Sequence, residues 1–228
     1  MESSARLPCI LLAAGAGSRM GDRMGARMGA GKLLLPVGGE PAVRRAALSI
    51  LQSCYPVVVV TGSGAPEVEA ALAGLEGIVI ARNPHWSEGM AASAIAGLDA
   101  LPEGCPGFLL HHADMPFVEA RVFALLAEAA AAARAGAAAV PAVQPEVALV
   151  AASLGRAGHP VYFPASYIPA IRAVGSGERL RGVLDSLGFR LLETGCDGVV
   201  EDMDRPEDYA ALIAKYGLVD SQSRARGL

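Results

Sequence analysis

The sequence predicts an α/β fold built on a largely parallel sheet with helices on both faces. Short β-rich runs recur through the first 140 residues, helical patterns fall between them, and the runs are continuously apolar. An alternating run marks a strand with one wet face; a continuous one marks a strand covered on both. Strands alternating with helices give βαβ units, whose right-handed crossovers lay parallel strands side by side.

The first expected strand is 9–14 (CILLAA). A helix over 42–53 follows Pro41, a residue suited to a first helical position. The second strand is 57–61 (VVVVT), and a helix over 67–73 follows Pro66 in the same way. Strand 77–81 (GIVIA), helix 89–101 and strand 108–112 (FLLHH) come next. Helix 118–135 ends at Gly136, a good stop, and 137–143 (AAAVPAV) reads as a fifth strand. Beyond it the pattern is less regular. Strands are expected over 146–153 and 161–163, with 156–159 as the turn between them. A helix over 179–187, a strand over 190–194 and a last helix over 206–216 complete the set. The polar tail from 219 is expected to be loose. No linker-like stretch divides the chain, so 1–228 reads as one domain.

Composition removes several function classes. Of 228 residues, 53% are hydrophobic and 18% charged, which supports a sizeable core and no disordered bias. A net charge of −4 lacks the basic stripe that nucleic-acid binding needs. A polyphosphate would therefore have to be held by a few placed cations, backbone N–H groups and a metal. No apolar run approaches the roughly 20 residues of a membrane span. Residues 1–7 carry no signal-peptide pattern. Cys9, Cys54, Cys105 and Cys196 are scattered without a C-x-x-C pair. That speaks against thiolate metal sites and a disulfide framework, and for a reduced cytoplasmic compartment.

The chemistry-bearing residues cluster at strand ends. Strand 9–14 runs into Gly15-Ala16-Gly17-Ser18-Arg19-Met20-Gly21. Glycines let backbone N–H groups approach an anion closely, and Arg19 and Lys32 add positive charge. The loop lacks the P-loop pattern, its G-x-G-x-x-G is broken at Met20, and Thr61-Gly62 replaces the acid a dinucleotide fold requires. By glycine content alone it reads equally well as a tight turn. Asp114 follows strand 108–112, where it can hold Mg²⁺ or cap the next helix. Asp204 can serve a metal or N-cap the last helix, with Glu207 completing a capping box; Asp202 stays open. His111 and His112 read as packed strand residues, and His85 with Trp86 as a loop pair. His159, between Gly158 and Pro160, is the histidine best placed for function.

These residues together resemble the molybdenum cofactor cytidylyltransferase family. The resemblance rests on LLAAGAGSRMG, KLLLP, the run from Asn83-Pro84 to Ser93, ADMPFV, Gly158-His159-Pro160 and DMDRPED, in that order over about residues 7–215. It implies a three-layer α/β/α sandwich, Rossmann-like and mostly parallel, of the nucleotide-diphospho-sugar transferase type. It implies Mg²⁺-dependent transfer of CMP from CTP to the phosphate of molybdopterin, with pyrophosphate released. Asp114 and Asp204 correspond to metal-binding carboxylates, Arg19 and Lys32 to the triphosphate clamp, and Ala13, Ala14, Gly15, Gly17 and Ser18 to the phosphate loop. Thr61, Asn83, Gly89 and Ser93 fall on the base and ribose side, and Gly158, His159 and Pro160 on the acceptor side. Ala13-Ala14-Gly15 favours CTP, since guanylyltransferases of the group read A-G-G there. Transient contact with a molybdoenzyme or its chaperone is implied as well.

The chain departs from the family in one place. Arg-Met-Gly occurs three times, at 19–21, 23–25 and 27–29, so twelve residues separate Arg19 from Lys32. The strand register selects Arg19 as the clamp; counting back from Lys32 selects Arg27. Competing readings are a GTP-using or sugar-1-phosphate nucleotidyltransferase, an NAD(P)-dependent oxidoreductase, and a non-catalytic nucleotide-binding regulator.

Overall fold

Strand β1, Cys9–Ala13, is apolar and buried at every position, as befits the middle of a sheet. The computed structural model describes residues 6–15, 31–135, 147–175 and 177–218. After a 3₁₀ turn at Gly31–Leu34 comes a small hairpin of β2 (Pro36–Val37) and β3 (Glu40–Pro41). Helix α1 (Ala42–Leu51) starts directly after Pro41. Then follow β4 (Val57–Thr61), α2 (Ala65–Leu72), β5 (Ile78–Arg82), α3 (Met90–Asp99), β6 (Gly107–His112) and α4 (Ala120–Arg134). The later half contributes β7 (Ala148–Ser153), β8 (Arg156–Pro164), α5 (Ile168–Arg172), α6 (Arg181–Leu187), β9 (Phe189–Glu193) and α7 (Pro206–Lys215).

Among the described residues seven strands form the main sheet, in the order β5-β4-β1-β6-β8-β7-β9, and only β8 runs against its neighbours. Strand residues alternate between the two faces. Cys9, Leu11, Val57 and Val59 pack with Val43 and Ile50 of α1, Val68 of α2, and Phe123 and Leu126 of α4. Ile10, Leu12, Val58 and Val60 pack on the other side with Ala94 and Leu98 of α3, Ile171 of α5 and Leu184 of α6. Over β1, β4 and β6 both faces are dry, which is why those strands read as continuous apolar runs. The run at β5 is equally apolar but forms the sheet edge, with Val79 and Ile80 exposed, so it is not covered on both faces as expected. The result is the expected three-layer α/β/α architecture. At Gly97 a Cβ would lie 2.6 Å from Ile10 Cγ2, so glycine lets α3 settle closely onto β1.

The chain reversal expected over 156–159 is not there. Those residues open β8, and the hairpin turns instead at Leu154 and Gly155, at φ 52° and 74°. An exposed leucine in the left-handed region gives no turn signal in sequence. Gly158-His159-Pro160 is therefore strand rather than turn. The cap of α7 is also displaced by one residue. Arg205 is the N-cap, and its backbone N–H donates to Asp208 Oδ2 at 2.9 Å, so neither Asp204 nor Glu207 takes the role expected. The strand expected over 137–143, the three Arg-Met-Gly copies and the tail from 219 lie outside the described residues.

Candidate active site

A cavity of about 560 Å³ opens beyond the carboxyl ends of β1 and β6. From β1 the chain steps through α1 to β4 on one side, and later returns through α3 to β6 on the other. Such a reversal of strand order leaves a crevice at the sheet edge, where open α/β sheets bind ligands. Ala13, Ala14 and Gly15 form one wall as β1 ends. His112 and Asp114 form the next, pinned by Ala113 N–H donating to Leu12 O at 3.0 Å.

Asp204 reaches the same place from the far end of the chain. The backbone crosses a 3₁₀ turn at Asp197–Val200, then runs along the segment after β6. Two glycines permit that approach. A Cβ at Gly198 would sit 2.3 Å from Phe117 O, and one at Gly158 would sit 1.8 Å from Val199 O. Met203 is fully buried, and Asp202 and Asp204 on either side of it both line the cavity.

Lys32 binds both carboxylates. Its ammonium donates to Asp114 Oδ2 and, at 2.9 Å, to Asp204 Oδ1. Burial opposes that charge. The fields of Asp114 and then Asp204 outweigh it and hold the Lys32 pKa above the ordinary lysine value. For the neighbouring Asp202 the balance goes the other way. Burial, then the charges of Asp204 and Asp114, push its carboxyl up. The carboxylates of Asp114 and Asp204 are thus spaced to share one cation. Hard oxygen donors of this kind suit Mg²⁺, whose remaining ligands are usually water and substrate phosphates. Among the described residues no cluster of three or more His, Cys, Asp or Glu is arranged to hold an ion.

Three imidazoles lie beside the carboxylates. His111 is 1% exposed, donates from Nε2 to Met115 O at 3.1 Å, and is driven by burial to a pKa of about 3. His112 and His159 meet edge to face with ring centroids 4.2 Å apart, and both line the cavity. Burial lowers both pKa values, and for His159 the nearby His112 and His111 add to the effect. The wall beside the carboxylates is therefore uncharged at neutral pH.

The residues on the expected base and ribose side divide into lining and support. Gly89 and Ser93 line the cavity together with Trp86. Thr61 is fully buried, and its hydroxyl donates to Glu69 Oε1 at 3.1 Å. Asn83 donates to Ser93 Oγ at 3.1 Å and accepts from His85 N at 2.9 Å, which shapes the loop carrying Trp86. Thr61 and Asn83 stand behind the cavity wall rather than in it. Gly158 and His159 line the cavity, while Pro160 is not part of its lining. Gly17, Ser18 and Arg19 lie outside the described residues.

Two charged lining residues received no role from the sequence. Asp202 sits two residues before Asp204, a spacing that puts both on one side of an extended chain, so its signal was present. Arg156 adds a cation next to Gly158. It gave no signal, because its segment read as a turn.

Comparison with known proteins shows the family and the fold. Residues 9–191 match the MobA-like NTP transferase domain. Nicotine blue oxidoreductase of Paenarthrobacter nicotinovorans is 34% identical over 176 residues, covering 75% of this chain and 79% of that protein. Molybdenum cofactor cytidylyltransferase of Escherichia coli is 30% identical over 118 residues, covering 51% and 56%. Among solved structures, a nucleotidyl transferase from Methanothermobacter superposes with a TM-score of 0.73 at 23% identity, covering 92% and 97%. The chain belongs to the MobA-like NTP transferase domain family and is a nucleotidyltransferase.

Proposed function

We propose that this protein is a Mg²⁺-dependent cytidylyltransferase that moves CMP from CTP onto the phosphate of a molybdopterin-type acceptor and releases pyrophosphate. The observation that carries the reading is the convergence of Asp114 and Asp204 on one cation position at the cavity floor. In the reaction an acceptor phosphate oxygen attacks the α-phosphorus, and the bond to the bridging oxygen of the β-phosphate breaks. That acceptor oxygen is already ionised near neutral pH, so no protein base is required. A Mg²⁺ ion held by Asp114 and Asp204 would neutralise charge on the phosphates. Lys32, with Arg19 by family position, stabilises charge on the departing pyrophosphate. Such placed cations act most strongly on charge that develops as the bond breaks. The uncharged pair His112 and His159, with Arg156 and Gly158, faces the acceptor.

Ala13-Ala14-Gly15 supports cytosine, since guanylyltransferases of the group read A-G-G there. A cytoplasmic location belongs to the same reading; among the described residues no helix is long and apolar enough to cross a membrane.

One relative favours a second reading. The name of the 34% identical protein is that of an oxidoreductase. A carboxylate pair sharing one cation suits phosphate chemistry better than hydride transfer, so transfer is preferred. A thermal-shift panel of CTP, GTP, UTP and ATP with Mg²⁺, and of NADH and NADPH, separates the two. A ligand at about 100 times its Kd adds roughly 2.7 kcal/mol of stability. Selective stabilisation by CTP is expected. GTP selectivity overturns the base assignment, and response to a nicotinamide nucleotide alone overturns the transfer reading.

A further inference from the structure

The carboxylates that would hold a metal already hold a cation of the protein's own. Lys32 bonds Asp114 Oδ2 and lies 2.9 Å from Asp204 Oδ1, with its side chain only 14% exposed. This is no loose surface pair. The backbone behind it is fixed, since Leu33 is buried and Leu35 O accepts from Ala42 N at 3.0 Å. Lys32 can therefore leave the carboxylates by moving its side chain alone. The shared oxygens show when it must. Asp202 also lines the cavity, so net charge alone does not bar a second cation. A divalent ion on the carboxylate oxygens that the ammonium holds would stand directly beside it, in a part-buried place where like charges repel strongly. A triphosphate changes the balance, because it brings anionic oxygens that can take both the ammonium and the open side of the ion.

We propose that Lys32 is the built-in occupant of the metal position. In the nucleotide-free protein it closes the carboxylate pair to divalent ions. An incoming nucleoside triphosphate draws it onto the phosphates, so that metal and nucleotide enter together. This rests on the metal assignment made above. Its consequence is positive coupling between the two ligands, and such coupling is reciprocal. The metal alone binds weakly, each ligand tightens the other, and a free divalent ion cannot lock the empty site.

The test is Mn²⁺ binding to the full chain, read by the loss of the free-ion electron paramagnetic resonance signal. It is measured with and without α,β-methylene-CTP, which is not cleaved, and the Mn²⁺ that the analogue chelates without protein is subtracted. Wild type, Lys32→Met and Lys32→Gln are compared, with thermal melts to show that each is folded. The expected result is that the nucleotide analogue tightens Mn²⁺ binding to wild type by about 10-fold or more, within the usual range for coupled sites. Without nucleotide, both variants should bind Mn²⁺ about 10-fold more tightly than wild type. Adding Asp114→Asn to Lys32→Met should abolish that gain. Equal Mn²⁺ affinity in wild type and variants without nucleotide overturns the exchange but leaves the metal assignment standing. The same holds if wild type binds Mn²⁺ as tightly alone as with the analogue, a result that needs no variant to fold. Failure of every protein to bind Mn²⁺ under any condition overturns the metal assignment, and the exchange with it.

Discussion

The backbone N–H of Met203 donates to the carbonyl of Asp114 across 3.0 Å. This bond helps join the two segments whose carboxylates meet at Lys32. The same segments pass backbone against backbone at Gly198, where a Cβ would meet Phe117 O, and Gly158 admits Val199 O in the same way. The active-site geometry is thus set by main chain, with the side chains following.

Filling one of those glycines should part the carboxylates. In Gly198→Ala the new methyl would start 2.3 Å from Phe117 O. Overpacking of this kind costs about 1–3 kcal/mol. A displacement of roughly 1 Å at the reacting groups costs about 100-fold in rate. Urea denaturation and CTP-dependent pyrophosphate release should show both losses. Full activity in Gly198→Ala would separate the backbone contact from catalysis.

Asp204 and Asp208 should behave oppositely, although both are acids beside the start of α7. Asp208 accepts from Arg205 N, whereas Asp204 bonds Lys32. Asp208→Asn should lower stability by about 1 kcal/mol or less and leave turnover unchanged. Asp204→Asn and Asp114→Asn should each lower turnover by about 100-fold or more while the far-ultraviolet circular dichroism stays that of the parent. Steady-state kinetics on the three variants, beside their melting curves, checks the contrast.

Stability should fall in mild acid because of the buried histidines. The His111 pKa in the fold is about 3, far below its unfolded value. The unfolded chain therefore binds more protons, and stability is complete above about pH 6.5 and drains away as pH falls toward 3. His111 alone should cost about 1.4 kcal/mol between pH 7.5 and 5.5. His112 and His159, also lowered, act in the same direction. Urea midpoints at the two pH values measure the loss, and His111→Gln should reduce it. An unchanged midpoint would mean that the imidazoles accept protons in the folded state.

Thr61 offers a test of support against contact. Its hydroxyl is spent on Glu69, which also pairs with Arg82 through two hydrogen bonds. Thr61→Val should cost about 1 kcal/mol of stability, the usual worth of one hydrogen bond. It should leave KM for CTP close to the parent value. A large rise in KM with unchanged stability would return Thr61 to the nucleotide.

Much was legible from sequence because it depends on local pattern. The apolar runs at β1, β4 and β6 declared strands covered on both faces, and Pro41 and Pro66 marked where helices begin. Their alternation required a parallel sheet, and the strand ends placed Ala13 to Gly15 and Asp114 at one edge. Other features depend on which segments come to lie together. Residues 156–159 read as a turn because nothing in Leu154 announces a left-handed reversal. Asp204 stood open between metal and cap because the true cap lies one residue later and its acid three residues beyond that. The contact of His112 with His159 and the bridge from Lys32 to both aspartates come from packing between distant segments. Local propensity acts over a few residues and can be read along the chain. Charge pairing and burial act through space, so tertiary structure alone decided which carboxylate faces Lys32 and which histidines stay neutral.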